Sequence, residues 1–341
     1  MKVRVADWIA EYLHNIGVTK IHGLMGGGAA GLNDGFIKNG KLDYICYHHE
    51  QGAGHAAIGE SKYTGKLAVV NPTTGCAGTN CATSVLNAWQ DGVPILFISG
   101  NVRLNTCAGW INQTKGTHIR HYGIQEHHIV DTYKSMTKFS EFVTKPENVP
   151  FILQKAIHLA TTGRKGPVWI DIPSDVQTAE MPAHMSFIPD NKDAAFLFPE
   201  AIKDIIHKAR RPIVLAGQGI RQAGCVDSFV KFIEKYKLPY VSTYGATDYT
   251  EYEHNLHIGA VGIKGTRAAN FAMQNADTLI ILGSSLGAPV VGYDPSQFSP
   301  KSYKVYVDID LNELRKDIVK IDYNLNTSLE KFFEEMLKVE V

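Results

Sequence analysis

The chain has 341 residues, 44% hydrophobic and 20% charged, a globular balance with room for two domains of ordinary size. Lys plus Arg and Asp plus Glu both number 34, so there is no net charge and no basic field for nucleic acid. No uncharged apolar run reaches the roughly 18 residues of a membrane span. The five cysteines form no C-x-x-C pair, which points to a reducing compartment, the cytoplasm.

Val5, Trp8, Ile9, Tyr12, Leu13 and Ile16 share one helical face, and Gly17 stops the helix. Asp7 and Glu11 break any apolar core, so this is not a signal peptide. The run KIHGL (20–24) predicts a strand, followed by the glycine loop GGGAAG (26–31) and a helix. DYICY (43–47) is a second strand, leading into Glu50 and a helix of small residues. LAVVN (67–71) is a third, followed by a Thr/Gly/Cys loop and a helix over 78–91. PILFIS (94–99) and PVWIDI (167–172) are further strands. Strands apolar throughout and alternating with helices predict a parallel sheet covered on both faces. Ligands then sit beyond the C-terminal strand ends, where loops 26–28, 48–52, 73–78 and 100–101 gather.

Periodicity lapses over 181–199, a stretch with three prolines that reads as a linker. A second alternating unit follows, with strands PIVLAG (212–217), PYVS (239–242), TLIILG (278–283) and YKVYVDID (303–310). An amphipathic helix, LEKFFEEMLKV (329–339), closes the chain. The fold class is α/β: two doubly wound parallel-sheet domains over 1–180 and 200–341, joined by 181–199.

Several motifs carry competing readings. GGGAAG matches the dinucleotide fingerprint, but six small residues match it easily and Asp43 precedes its strand instead of following it. GQGIRQAG (217–224) is either a phosphate cradle or a tight strand-to-helix turn. His118, His121, His127 and His128 lack metal-ligand spacing and suit hydrogen bonding better than metal. Cys76 has no base placed beside it and reads as packing. Glu50 by itself reads as a helix-start acid facing the macrodipole.

Read together, HHEQGAGHAAIGESKYTGK (48–66) and VVNPTTGCAGTN (69–80) resemble the pyrimidine-binding domain of thiamine-diphosphate enzymes of the acetolactate synthase type. HGLMGGG (22–28), DGVPILFISGNV (91–102), GIQEHHIV (123–130) and GRKGPVWIDIPSDVQ (163–177) are similar to further motifs of that family, in the same order. Asn101 stands where the family has glutamine, and Thr74, Cys76 and Ala77 depart from its T-S-G-P-G turn. The stretch from RPIVLAGQG to VDID resembles the family's Rossmann-like central domain, so the resemblance covers nearly the whole chain.

The resemblance implies a thiamine-diphosphate-dependent decarboxylase or carboligase acting on a 2-keto acid, with a carbonyl acceptor where a new bond is made. Its glutamate at N1′ of the aminopyrimidine makes the cofactor's 4′-amino group basic, and that residue is Glu50 here. Gly26, Gly27, Thr74, Asn80 and Gln125 are implied to line cofactor or substrate space. A homodimer or tetramer is implied, since the family's cofactor lies between subunits.

The family holds the diphosphate and Mg²⁺ on a third domain bearing G-D-G. The dipeptide Gly-Asp does not occur here. The expectation is a fragment or a split enzyme, with no metal ligand and no turnover in this chain alone. The family's flavin motif carries arginines that GSSLGAPVVGY (283–293) lacks, which makes FAD doubtful. VGYDPSQF (291–298) looks more like acetolactate-synthase-like proteins of surface-polysaccharide pathways. A non-catalytic subunit of the same fold is the alternative from another class.

Overall fold

The computed structural model describes residues 3–181, 186–189 and 199–340. Two compact units emerge, Met1–Asp190 and Asn191–Val341. Most of the expected linker over 181–199 lies outside the described residues.

In the first unit the strands are β1 (Lys20–Gly23), β2 (Asp43–Cys46), β3 (Ala68–Asn71), β4 (Ile95–Asn101), β5 (Phe139–Phe142) and β6 (Val168–Pro173). They form one sheet in the order β2-β1-β3-β4-β6-β5, with every pairing parallel. The central strands β3, β4 and β6 are buried at every position, as their unbroken apolar runs predict. One face carries Val5, Ile9, Leu13, Leu32, Phe36 and Leu153. The other carries Ala53, Ala57, Val85, Tyr133 and Trp169. Chain order reverses between β1 and β3, so the crevice of this sheet opens beyond their C-terminal ends.

The second unit contains β7 (Pro212–Ala216), β8 (Tyr240–Ser242), β9 (His257–Ala260), β10 (Thr278–Leu282), β11 (Tyr303–Asp308) and β12 (Tyr323–Asn326). Their order is β12-β11-β10-β7-β8-β9, again parallel throughout, with the reversal between β7 and β10. Phe229, Phe232, Phe332 and Phe333 build the core on one face. The closing helix is Leu329–Lys338, capped by the Ser328 side chain, which accepts from the Lys331 amide.

Three strands escape the apolar-run criterion: β5 (FSEF), β9 (HIGA) and β12 (YNLN). Each is a sheet edge and half-exposed along most of its length. An edge strand needs fewer apolar residues, so its sequence gives less sign of it. The expected helix over 78–91 is divided into Cys76–Thr79 and Ala82–Asp91. No helix among the described residues is long and apolar enough to cross a membrane.

Candidate functional site

Glu50 is the first residue of the helix Glu50–Thr64, at the C-terminal edge of the first sheet. Its carboxylate oxygen Oε2 accepts from Asn80 Nδ2 at 2.7 Å. Asn80 ends the short helix Cys76–Thr79, in the turn that follows β3. Two separate chain reversals thus bring the acid and the amide together, thirty residues apart in sequence. Oε1 of Glu50 has no hydrogen bond among the described residues. Glu50, Cys76, Ala77, Thr79 and Asn80 line a cavity of about 440 Å³.

The small residues of the Glu50 helix divide into two groups. A Cβ on Gly54 would lie 2.1 Å from Ser84 Oγ, so this glycine lets the helix press against Ala82–Asp91. At Gly52 an added Cβ would approach only His49 Cβ, at 4.0 Å, and at Gly59 it would meet nothing within that range. Packing within this unit requires Gly54 and does not require the other two.

The glycine loop after β1 is built on the turn after β3. A Cβ on Gly26 would fall 2.4 Å from Thr73 Cγ2, and one on Gly28 1.6 Å from Thr74 Oγ1. Thr73 Oγ1 accepts from the Ala29 amide at 3.2 Å. Gln177 fixes the same loop, donating to the Gly28 carbonyl at 2.7 Å and accepting from the Leu32 amide. Gly27 has nothing within 4 Å of where a Cβ would sit. Thr74 is buried, and its hydroxyl has no hydrogen-bond partner among the described residues. An unpaired buried hydroxyl costs free energy, a condition that a ligand can relieve.

Gln125 reaches the site through its backbone. Its φ is +57°, uncommon for a residue other than glycine. Its carbonyl lies where a Cβ on Gly75 would be 1.6 Å away, so Gly75, at φ +54°, admits the 122–128 loop onto the turn after β3. The structure therefore joins Glu50 to Asn80 by a hydrogen bond and packs Gly26 and Gly28 onto Thr73 and Thr74. It sets Gln125 against Gly75.

The histidines do not converge. His118 and His121 are exposed. His127 Nε2 lies 2.7 Å from Thr132 Oγ1, and His128 stands edge-on to Phe142. No group of three or more metal-ligating side chains occurs among the described residues.

Two buried networks were not foreseen. His22 bridges Tyr47 (2.8 Å, through Nδ1) and Glu60 (2.7 Å, through Nε2). Asp171, fully buried in β6, accepts from Ser99 Oγ at 2.6 Å and Asn101 Nδ2 at 2.7 Å. Burial pushes the Asp171 carboxyl up to about 7; the Ser99 and Asn101 hydrogen bonds oppose this and the Glu126 charge adds to it. One acid inside the apolar run VWIDIP was the available signal. Burial also raises the Cys81 thiol, with Glu50 as the secondary cause.

Comparison with known proteins gives two family matches. Residues 3–132 match the N-terminal TPP binding domain of thiamine pyrophosphate enzymes, and residues 200–336 match their central domain. The acetolactate synthase large subunit of Lactococcus lactis is 32% identical over 337 residues, which is 97% of this chain and 56% of that protein. The isozyme 2 large subunit of Escherichia coli is 30% identical over 329 residues, 95% of this chain and 58% of that protein. The large subunit of Corynebacterium glutamicum is 33% identical over 318 residues, 91% and 49% respectively. The chain spans about half the length of these curated relatives.

Proposed function

The chain belongs to the thiamine pyrophosphate enzymes and carries their N-terminal and central domains, and from that premise we propose that it forms the cofactor-activating half of a decarboxylase or carboligase acting on a 2-keto acid. Residues 1–180 are assigned to the pyrimidine-binding domain, 181–199 to a linker and 200–341 to the central domain.

The observation that carries this reading is the Glu50–Asn80 pair on the wall of the 440 Å³ cavity. An aminopyrimidine needs a carboxyl at its ring nitrogen. Glu50 offers one oxygen without a partner among the described residues, while Asn80 holds the other and fixes the carboxyl's orientation. Thiamine diphosphate, when bound, would supply a carbon acid whose deprotonated form is the nucleophile for the keto carbonyl and an electron sink for the pair left by CO₂. Glu50 holds or shares the proton at N1′. Gly27 leaves the backbone uncovered for close approach, Gly26 beside it rests on Thr73, and Gln125 lines the substrate side.

The diphosphate and Mg²⁺ are assigned to a Gly-Asp-Gly-bearing domain, on a longer form of this chain or on a separate subunit. A homodimer or tetramer in the cytoplasm, using a carbonyl acceptor, completes the proposal. Flavin has no assigned role: packing of Gly217 and Gly219 onto Gly283 weighs against a ligand cradle at that turn.

Glu50→Gln in the complete enzyme tests the reading. Exchange of the cofactor's C2 proton should slow by about two orders of magnitude or more, the scale of a lost general acid–base group. Unchanged exchange would remove Glu50 from the chemistry and favour a non-catalytic subunit.

A further inference from the structure

We propose that Asp171 is a positioning residue for the loop that carries Gln125, acting through the side-chain amide of Asn101. The link to substrate rests on the reading of Gln125 given above; the tether itself does not.

β6 is buried at all six positions, so a carboxyl there gives up its hydration and must be held by donors. Two donors hold it. Ser99 donates to Oδ1, and Ser99 Oγ in turn accepts from Trp169 Nε1 at 2.8 Å. Asn101 donates to Oδ2. The rest of the Asn101 amide is also committed: Oδ1 accepts from the Val102 amide at 2.9 Å, and Nδ2 makes a second contact to the His127 carbonyl at 3.3 Å. Flipping this amide would set its oxygen against the ionised Asp171 carboxylate and, in either protonation state, its NH₂ against the Val102 N–H. Asp171 therefore decides which way the Asn101 donor points, and that donor reaches the loop.

The loop needs such an anchor. Gln125 is in the left-handed region, which the surroundings must enforce. The Gly123 amide donates to Thr106 O at 2.9 Å, and the Tyr122 amide donates to Glu126 Oε1 at 3.0 Å. Glu126 is buried while Gln125 beside it is exposed, so the backbone turns over between them. His127 O, two residues beyond Gln125, is where the sheet's C-terminal edge takes hold of this turn.

Amide hydrogen exchange on the full chain tests the tether. Asn101→Ala should speed exchange over 122–129 about tenfold and leave β4 and β6 unchanged. Asp171→Ala should speed exchange over 122–129 likewise, and the double variant should add nothing further there, because both act on the loop through one bond. If Asp171→Ala fails to fold, Asp171→Asn keeps the volume but leaves Ser99 and Asn101 competing for one acceptor oxygen, and the loop should loosen likewise. Unchanged exchange over 122–129, or additive effects, overturns the proposal. In the complete enzyme Asn101→Ala should raise the KM for pyruvate about tenfold, with kcat and C2 proton exchange within about twofold. A loosened loop with unchanged KM overturns the substrate-lining role of Gln125 and leaves the tether standing.

Discussion

Each sheet reverses its chain order once, and at each reversal a glycine-rich turn follows the first strand. The two turns are spent differently. In the second unit a Cβ on Gly217 would lie 2.2 Å from Gly283 O, and one on Gly219 2.8 Å from Gly283 Cα. Backbone meets backbone there, and the Tyr249 hydroxyl donates to the Gly217 carbonyl at 2.9 Å. In the first unit Gly26 and Gly28 meet side chains, those of Thr73 and Thr74, and Gly27 meets nothing. Rotation moves the Thr74 hydroxyl that Gly28 meets, whereas Thr73 Cβ, 2.6 Å from a Cβ on Gly26, is as fixed as the Gly283 carbonyl. Backbone also meets backbone in the first unit, where a Cβ on Gly100 would lie 2.2 Å from Gly28 O, so the two turns differ in the threonine side chains against Gly26 and Gly28 and in the open position at Gly27.

Four measurements would break or sharpen this contrast. The largest effect belongs to Asp171, in β6 of the first unit. Its folded value of about 7 lies above its ordinary 3.8. Between those values the folded state keeps a proton that the unfolded state has released, so stability falls as pH rises and levels off above about 7. Denaturant titrations should show a slope of about 1.4 kcal/mol per pH unit in that window, absent in Asp171→Asn. The Glu126 charge is the coulombic neighbour that adds to the raised Asp171 value. A flat native profile would refute the buried acid.

Gly217→Ala comes next. With a backbone carbonyl in the way, it should cost about 3 kcal/mol, the upper range for overpacking. Urea unfolding followed by circular dichroism would measure it, and a neutral result would mean that the second joint yields.

Gly28→Ala should cost about 2 kcal/mol. Combined with Thr74→Ala, much of that loss should disappear, a coupling of about 1 kcal/mol in a double-mutant cycle. All four tryptophans lie in the first unit, so their fluorescence reports this change directly. Gly27→Ala is the smallest, within about 0.5 kcal/mol, since it enters open space. A large stability loss there would mean that the crevice is already filled by the chain itself.

Much of the architecture was open to reading from sequence. The buried strands β3, β4, β6, β7 and β10 announce themselves as apolar runs, alternating with helical stretches. Glu50 stood out as a candidate because it opens a helix whose first turns are rich in glycine and alanine, within an ordered set of family motifs. The edge strands β5, β9 and β12 were not, because one exposed side relaxes the demand for apolar residues. GQG was ambiguous because glycine spacing records close approach without saying what approaches.

The sequence by itself determined the α/β class, the two alternating units and the crevice edge, because burial periodicity and strand–helix alternation are local properties of the chain. Tertiary structure alone decided which groups meet: Asn80 with Glu50, His22 with Tyr47 and Glu60, Asp171 with Ser99 and Asn101, and Gln125 with Gly75. Those partners are between 25 and 72 residues apart. Contacts at such separations depend on strand order and register, which no local pattern specifies.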